Sequence, residues 1–232
     1  MNPLKSAMNT VAAYIHPTRA RNRVCLAFAA AWLLLACSAL PDKPTRAALY
    51  DFGPGPLTPP PTTRQAALAP LALANISTPG GALDNQAVLY RLAYADAQQL
   101  RPYSQARWSM PPAQLVRQRL RDTLSRSRAV LHADAGPALN RRGSQGVLPR
   151  VLQLELEEFS QLFDSPGSSV GLIRLRATLV ENTPTGEKLL AQRNLTVQRP
   201  APSADAAGGV RALTAATDAA IEELVSWLQQ TL

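Results

Sequence analysis

Cysteine, histidine and aromatic side chains are all scarce in this chain, and each scarcity removes a class of explanation. Of 232 residues only two are cysteine and two histidine, and Phe, Trp and Tyr together make up 5%. Cys25 sits inside an apolar N-terminal run and departs with it if that run is cleaved, which leaves Cys37 as the sole thiol and no intrachain disulfide. Past that run, His132 is the only histidine, so neither a histidine–cysteine metal centre nor a histidine-dependent hydrolase finds its usual ligands. No GxSxG elbow, phosphate-cradling glycine loop or internal repeat is present. Acidic residues are absent before Asp42.

What the N-terminus does contain is directional. Arg19, Arg21 and Arg23 precede the run Val24 to Ala36, which is almost wholly apolar. Thirteen residues are too few to span a bilayer as a helix, which takes about 20, so the run reads as an export signal over residues 1–36. It closes on Leu34-Leu35-Ala36-Cys37, the pattern of a bacterial lipobox, with Cys37 as the lipid attachment point. The alternatives are a plain secreted protein or a short anchor with an accidental cysteine. Removing the first 36 of 232 residues leaves 196, enough for one domain with its own core. Lys5 and the three arginines leave as well, so the net charge falls from +8 to +4. The remaining arginines are dispersed, which argues against a nucleic-acid partner.

Prolines crowd residues 37–69 and favour extended chain, so this segment reads as a lipidated tether. Within it, residues 48–52 alternate and form either a first edge strand or two sticky points, Tyr50 and Phe52, in a linker. The body, residues 70–232, opens with a short strand at Leu71 to Ile76. A second strand carries Val88, Tyr90, Leu92 and Tyr94 on one face with Arg91 opposite. Ser109 and Pro111-Pro112 have the form of a helix start, with Ser109 as cap and a helix running to about Arg128. Its inner stripe is Ala113, Val116, Leu120 and Leu124, while Arg117, Arg121, Asp122 and Arg126 face water. Ala129 to Leu131 form a brief strand before an exposed loop from Asp134 to Gly146. Leucines then alternate at 152, 154 and 156, and Glu157-Glu158 predicts a bulge or a change of face before Phe159. Ile173, Leu175, Ala177 and Leu179 make the next strand. Leu189, Ala191, Leu195 and Val197 share a face in the last, where Arg193 has to lie at an edge or reach solvent. Val210, Leu213, Ala220, Ile221, Leu224 and Leu228 recur at helical spacing and cover the sheet. The predicted class is α+β, a largely antiparallel sheet with two main helices packed on one face.

Chemistry is sparse. Glu155, Glu157 and Glu158 alternate with leucines as a solvated sheet face does, and His132 reads as structural or exposed. Tyr90, Tyr94, Tyr103, Arg107 and Trp108 lie close in sequence, and rigid aromatics beside guanidiniums suit contact with a protein partner or a lipid headgroup. Core packing of the same aromatics is the competing reading.

Several stretches carry a family resemblance: the lipobox at Cys37, Tyr50-Asp51-Phe52-Gly53, Leu89-Tyr90-Arg91-Leu92-Ala93-Tyr94, Arg107-Trp108-Ser109-Met110-Pro111-Pro112 and Leu154-Glu155-Leu156-Glu157-Glu158-Phe159. In this order they resemble the ABC-type transport auxiliary lipoproteins, the group that includes paraquat-inducible protein C and lipoprotein partners of MCE-domain lipid transporters. The resemblance implies a non-catalytic accessory part, anchored at the outer membrane on its periplasmic side, without cofactor. It implies as partners an MCE-domain substrate-binding protein with its ABC permease and ATPase, and as cargo phospholipid or another hydrophobic solute. Ser38, where an aspartate would retain an enterobacterial lipoprotein at the inner membrane, points the same way. An envelope scaffold or assembly lipoprotein unconnected with transport is the alternative.

Overall fold

Strand β6 (Arg150–Ser165) organises the sheet because it is long enough to take two different partners along one edge. The computed structural model describes residues 46–55, 68–133, 148–183 and 185–232. The export signal, Cys37, most of the tether and the loop expected from Asp134 to Gly146 lie outside the described residues. Arg46–Leu232 form one compact unit. Besides β6, its elements are β1 (Ala48–Tyr50), β2 (Leu68–Ser77), β3 (Ala87–Leu92), β4 (Asp96–Trp108), α1 (Pro112–Leu124), β5 (Arg128–His132), β7 (Ser168–Thr183), β8 (Gly186–Pro200) and α2 (Ala206–Thr231).

On one edge of β6, residues 150–155 run parallel to β2 and residues 161–163 run parallel to β3. The other edge is paired with β7 throughout, and β7 with β8, as an antiparallel meander. The expectation of a largely antiparallel sheet is corrected: four of the seven pairings, β1/β4, β2/β5, β2/β6 and β3/β6, are parallel. Alternation along a strand reports which face is dry and carries no information about the direction of its neighbour. The α+β class holds, with eight strands and two helices among the described residues.

The bulge expected at Glu157-Glu158 is present. Leu156 pairs with Leu175 and Glu158 with Arg174, so Glu157 is the extra residue. The inward series therefore passes from Leu152, Leu154 and Leu156 to Phe159, all buried, without interrupting the core. A second bulge, which sequence alternation did not reveal, lies at Leu190. Leu179 pairs with Ala191 and Val180 with Leu189, so Leu189 leaves the face of Leu195 and Val197 and stands 60% exposed. Arg193 behaves as expected, on the edge strand and bonded to Glu223 at 2.8 Å.

Helix α1 starts one residue after Pro111, whose side chain makes no capping bond. Ser109 is not the cap. Its N–H donates to the carbonyl of Tyr50 instead, and Pro112 needs no cap for the N–H it lacks. The helix stops at Leu124, short of Arg128, because Leu68 N–H takes the carbonyl of Ser127 and the chain enters β5. Helix α2 is capped by Asp205, whose carboxylate accepts from Gly208 N–H at 2.7 Å. Its whole predicted stripe is buried, and each leucine so placed is worth about 1.5–3 kcal/mol against exposure. Gly171 makes the close approach of α2 to β7 feasible, since a Cβ there would lie 2.5 Å from the backbone at Ala212 and Leu213. Both helices contribute to one continuous core with the inward residues of β2, β6 and β7.

Residues 48–52 are part of this body. β1 pairs with β4, Phe52 is buried, and its ring meets Trp108 edge-on at 5.6 Å. Arg119 of α1 fastens the segment, donating to the carbonyl of Phe52 at 3.0 Å and to Asp218 of α2 at 2.8 Å.

Candidate functional site

The hairpin β3–β4 carries the aromatics singled out by sequence, and the structure divides them. Sequence reading had missed β4 altogether, because Asp96 to Gln105 is too polar to mark a buried face; Tyr103 lies on it. Tyr90 and Tyr103 come together with ring centroids 4.6 Å apart, and Phe163 of β6 meets Tyr90 edge-on at 6.1 Å. Tyr94 is displaced from the strand into the turn that joins β3 to β4, where it is 48% exposed. Trp108 is entirely buried against Phe52 and Phe159. Arg107 bends back onto its own strand, donating to the carbonyls of Tyr103 and Ala106 at 2.5 and 2.8 Å. Of the five residues, then, two meet ring to ring at a 39° tilt and are half-buried, one is exposed at the hairpin tip, one is folded onto backbone and one is core.

A polar chain underlies this tyrosine pair. Tyr103 donates to Gln161 Oε1 at 2.8 Å, and the amide nitrogen of Gln161 donates to Ser169 at 2.8 Å. Gln161 and Ser169 are buried, so the chain satisfies groups that could not otherwise be there. Gly209 in the first turn of α2 is pressed against the Gln161 carboxamide, with no room for a Cβ. Burial pushes the Tyr103 hydroxyl up to about 12, helped by the neighbouring Tyr90 and by Asp205. The Gly208 N–H bond, with Ser203 beside it, holds the Asp205 carboxyl below its usual range. Gln161, Phe163 and Gly209 were not legible as members of this cluster. They lie far from the hairpin in sequence, and Gln161 follows the bulge that decides its face.

The glutamates are taken up by arginines. Glu158, expected on a solvated face, is 7% exposed and bonded to Arg91 at 3.0 Å. Glu155 and Glu157 both pair with Arg176, at 3.3 and 2.6 Å. His132 faces the guanidiniums of Arg117 and Arg121. Among the described residues no group of three or more His, Cys, Asp or Glu side chains could hold a metal ion, and no helix is long and apolar enough to cross a membrane. The arrangement offers rigid aromatic contact at one end of the sheet and structural ion pairs on its outer face.

Comparison with known proteins places this geometry. The model of a family described as the ABC-type transport auxiliary lipoprotein component matches residues 50–225. The crystal structure of a Xanthomonas campestris protein of family DUF330 superposes with a TM-score of 0.61 at 22% identity, covering 79% of this chain and 96% of that one. An uncharacterised protein of known structure superposes at 0.54 with 14% identity, covering 80% and 98%. At these identities the two structures speak to the fold alone. No curated protein matches the chain.

Proposed function

Because the chain belongs to the family of ABC-type transport auxiliary lipoprotein components, we propose that it is the outer-membrane-anchored, periplasmic accessory part of an ABC/MCE-type system that moves phospholipid or another hydrophobic solute. The observation that carries this reading is the extent of the family match, which begins inside β1 and ends within α2, across nearly all of the described body. Cys37 is the proposed point of attachment. One acyl chain binds a membrane only marginally, at about 0.8 kcal/mol per buried CH₂, and two or more hold stably. Ser38 in the following position supports sorting to the outer membrane.

The role proposed is docking, not catalysis. Its partners are an MCE-domain protein and, through it, a permease and ATPase. Tyr94 at the hairpin tip and the half-buried Tyr90 and Tyr103 behind it supply the contact, since aromatic side chains bury large area at low entropic cost. The test is crosslinking in intact cells followed by purification from detergent-solubilised membranes. Recovery of an MCE-domain protein is expected, together with co-sedimentation with outer-membrane markers that a Cys37→Ala variant loses. Crosslinking that captures no transport component, or an anchored protein that sediments with the inner membrane, overturns the corresponding part of the proposal.

A further inference from the structure

Arg117 and Arg121 stand one turn apart on α1 and converge on His132 at the end of β5. Arg117 Nη2 lies 2.6 Å from His132 Nδ1, and Arg121 Nη1 lies 3.4 Å from Nε2. The three side chains cannot satisfy one another. A neutral imidazole has a lone pair on one ring nitrogen only, and an imidazolium has none, so at least one guanidinium N–H meets another N–H. Like charges at i and i+4 also oppose the helix. The guanidiniums of Arg91, Arg119, Arg174, Arg176 and Arg193 each reach a carboxylate, and those of Arg101 and Arg107 reach neutral oxygen acceptors. Among the described residues Arg117 and Arg121 reach no carboxylate.

Both arginines open onto a groove of about 330 Å³ lined by Asn75, Met110, Gln114, Arg117, Gln118 and Arg121. Its lining contains two guanidiniums and three carboxamides and no carboxylate. Carboxylates line the neighbouring depressions and not this one. Asp84 lines the adjoining groove that shares Arg117, and its carboxylate accepts from the Thr78 hydroxyl. Asp122 lines a depression with Phe52 and Arg119 that meets the groove at Met110 and Gln118.

We propose that Arg117, Arg121 and His132 form a binding site for a phosphoryl anion, completed by the carboxamides of Gln114 and Gln118. An anion supplies the acceptors that the cluster lacks and turns the Arg117–Arg121 repulsion into shared attraction. A carboxylate offers two oxygens in one plane, whereas a tetrahedral phosphoryl group presents oxygens to two forks that are not coplanar. The shared chemistry covers a free phosphate and the phosphodiester of a lipid headgroup. The site stands on this geometry whether or not the chain serves a transporter.

The experiment is calorimetric titration of the full chain in an uncharged detergent at constant ionic strength, with inorganic phosphate in one arm and dihexanoylphosphatidylglycerol in the other. Saturable binding is expected in at least one arm, weakened about tenfold or more by Arg117→Gln and by Arg121→Gln. Arg126→Gln, two residues past the end of the same helix and outside the groove, should leave it unchanged. Binding of the lipid identifies a headgroup as the source, and binding of phosphate alone identifies a free phosphoryl ligand. Absence of saturable binding in both arms, or equal weakening by Arg126→Gln, overturns the site.

Discussion

Arg91 of β3 and Glu158 of β6 form a two-pronged ion pair, Nε to Oε1 at 3.3 Å and Nη2 to Oε2 at 3.0 Å, at the bulge where β6 changes the phase of its side chains. Ser160 donates to the same carboxylate at 2.6 Å, and Arg91 also reaches the carbonyls of Ala97 and Gln98. The pair ties the β3–β4 hairpin to the central strand. Arg91→Ala strands a carboxylate that is only 9% exposed, and should cost about 3 kcal/mol. Arg174, 3.9 Å from Glu158 and half exposed, should cost under about 1 kcal/mol on the same substitution. Urea denaturation of the two variants checks the ranking, and equal costs would show that the carboxylate is not held by Arg91.

Phe52 tests whether the segment after the tether belongs to the folded body. Its loss in Phe52→Ala should cost about 3 kcal/mol, by transfer and cavity together. A double-mutant cycle with Trp108→Phe should return about 0.5–1.5 kcal/mol of coupling. Trp108→Phe alone should be mild, about 1–2 kcal/mol, because the buried indole N–H has no partner to lose. A neutral Phe52→Ala in thermal or urea melts would return the segment to the tether.

Tyr103 gives an alkaline signature. Its folded value, about 12, is raised above the ordinary 10, so the folded state holds the proton more tightly than the unfolded chain does. The stability it contributes is complete below about pH 10 and disappears as pH rises toward 12. Ultraviolet titration should show one tyrosine ionising late, and Tyr103→Phe should abolish that step and flatten the loss of stability over the same interval.

Gly209 and Gly171 lie at close approaches between α2 and the sheet. Alanine at either position has to displace the Gln161 carboxamide or the helix backbone, respectively. A cost of about 1–3 kcal/mol is expected for each. The Gly209 variant should in addition shift the late tyrosine titration, since Gln161 accepts from Tyr103; the Gly171 variant should not.

Tyr94 separates docking from packing. Nearly half exposed in a turn, Tyr94→Ala should change stability by no more than about 0.5 kcal/mol and still reduce crosslinking to the transport partner. Unchanged crosslinking would remove the hairpin tip from the proposed contact.

Short-range chemistry was written in the residues. The stripe of α2, the bulge at Glu157, the meander from β6 to β8 and the export of Arg193 to an edge all follow from periods of 3.6 and 2 and from where charge interrupts them. The family was legible too, because its signals are contiguous stretches. Three of the five grouped residues part company in the fold. Tyr94, Arg107 and Trp108 are neighbours in sequence, yet alternation and a turn send them to the tip, to backbone carbonyls and to the core.

Periodicity states which side of an element must be dry, and it is a property of one segment at a time. Strand direction, the two partners sharing one edge of β6, the burial of Glu158 and the meeting of Arg117, Arg121 and His132 are properties of pairs of segments far apart in the chain. They depend on which edges remain to be paired and which charges then fall opposite one another, and those are settled only when the whole sheet has closed on its helices.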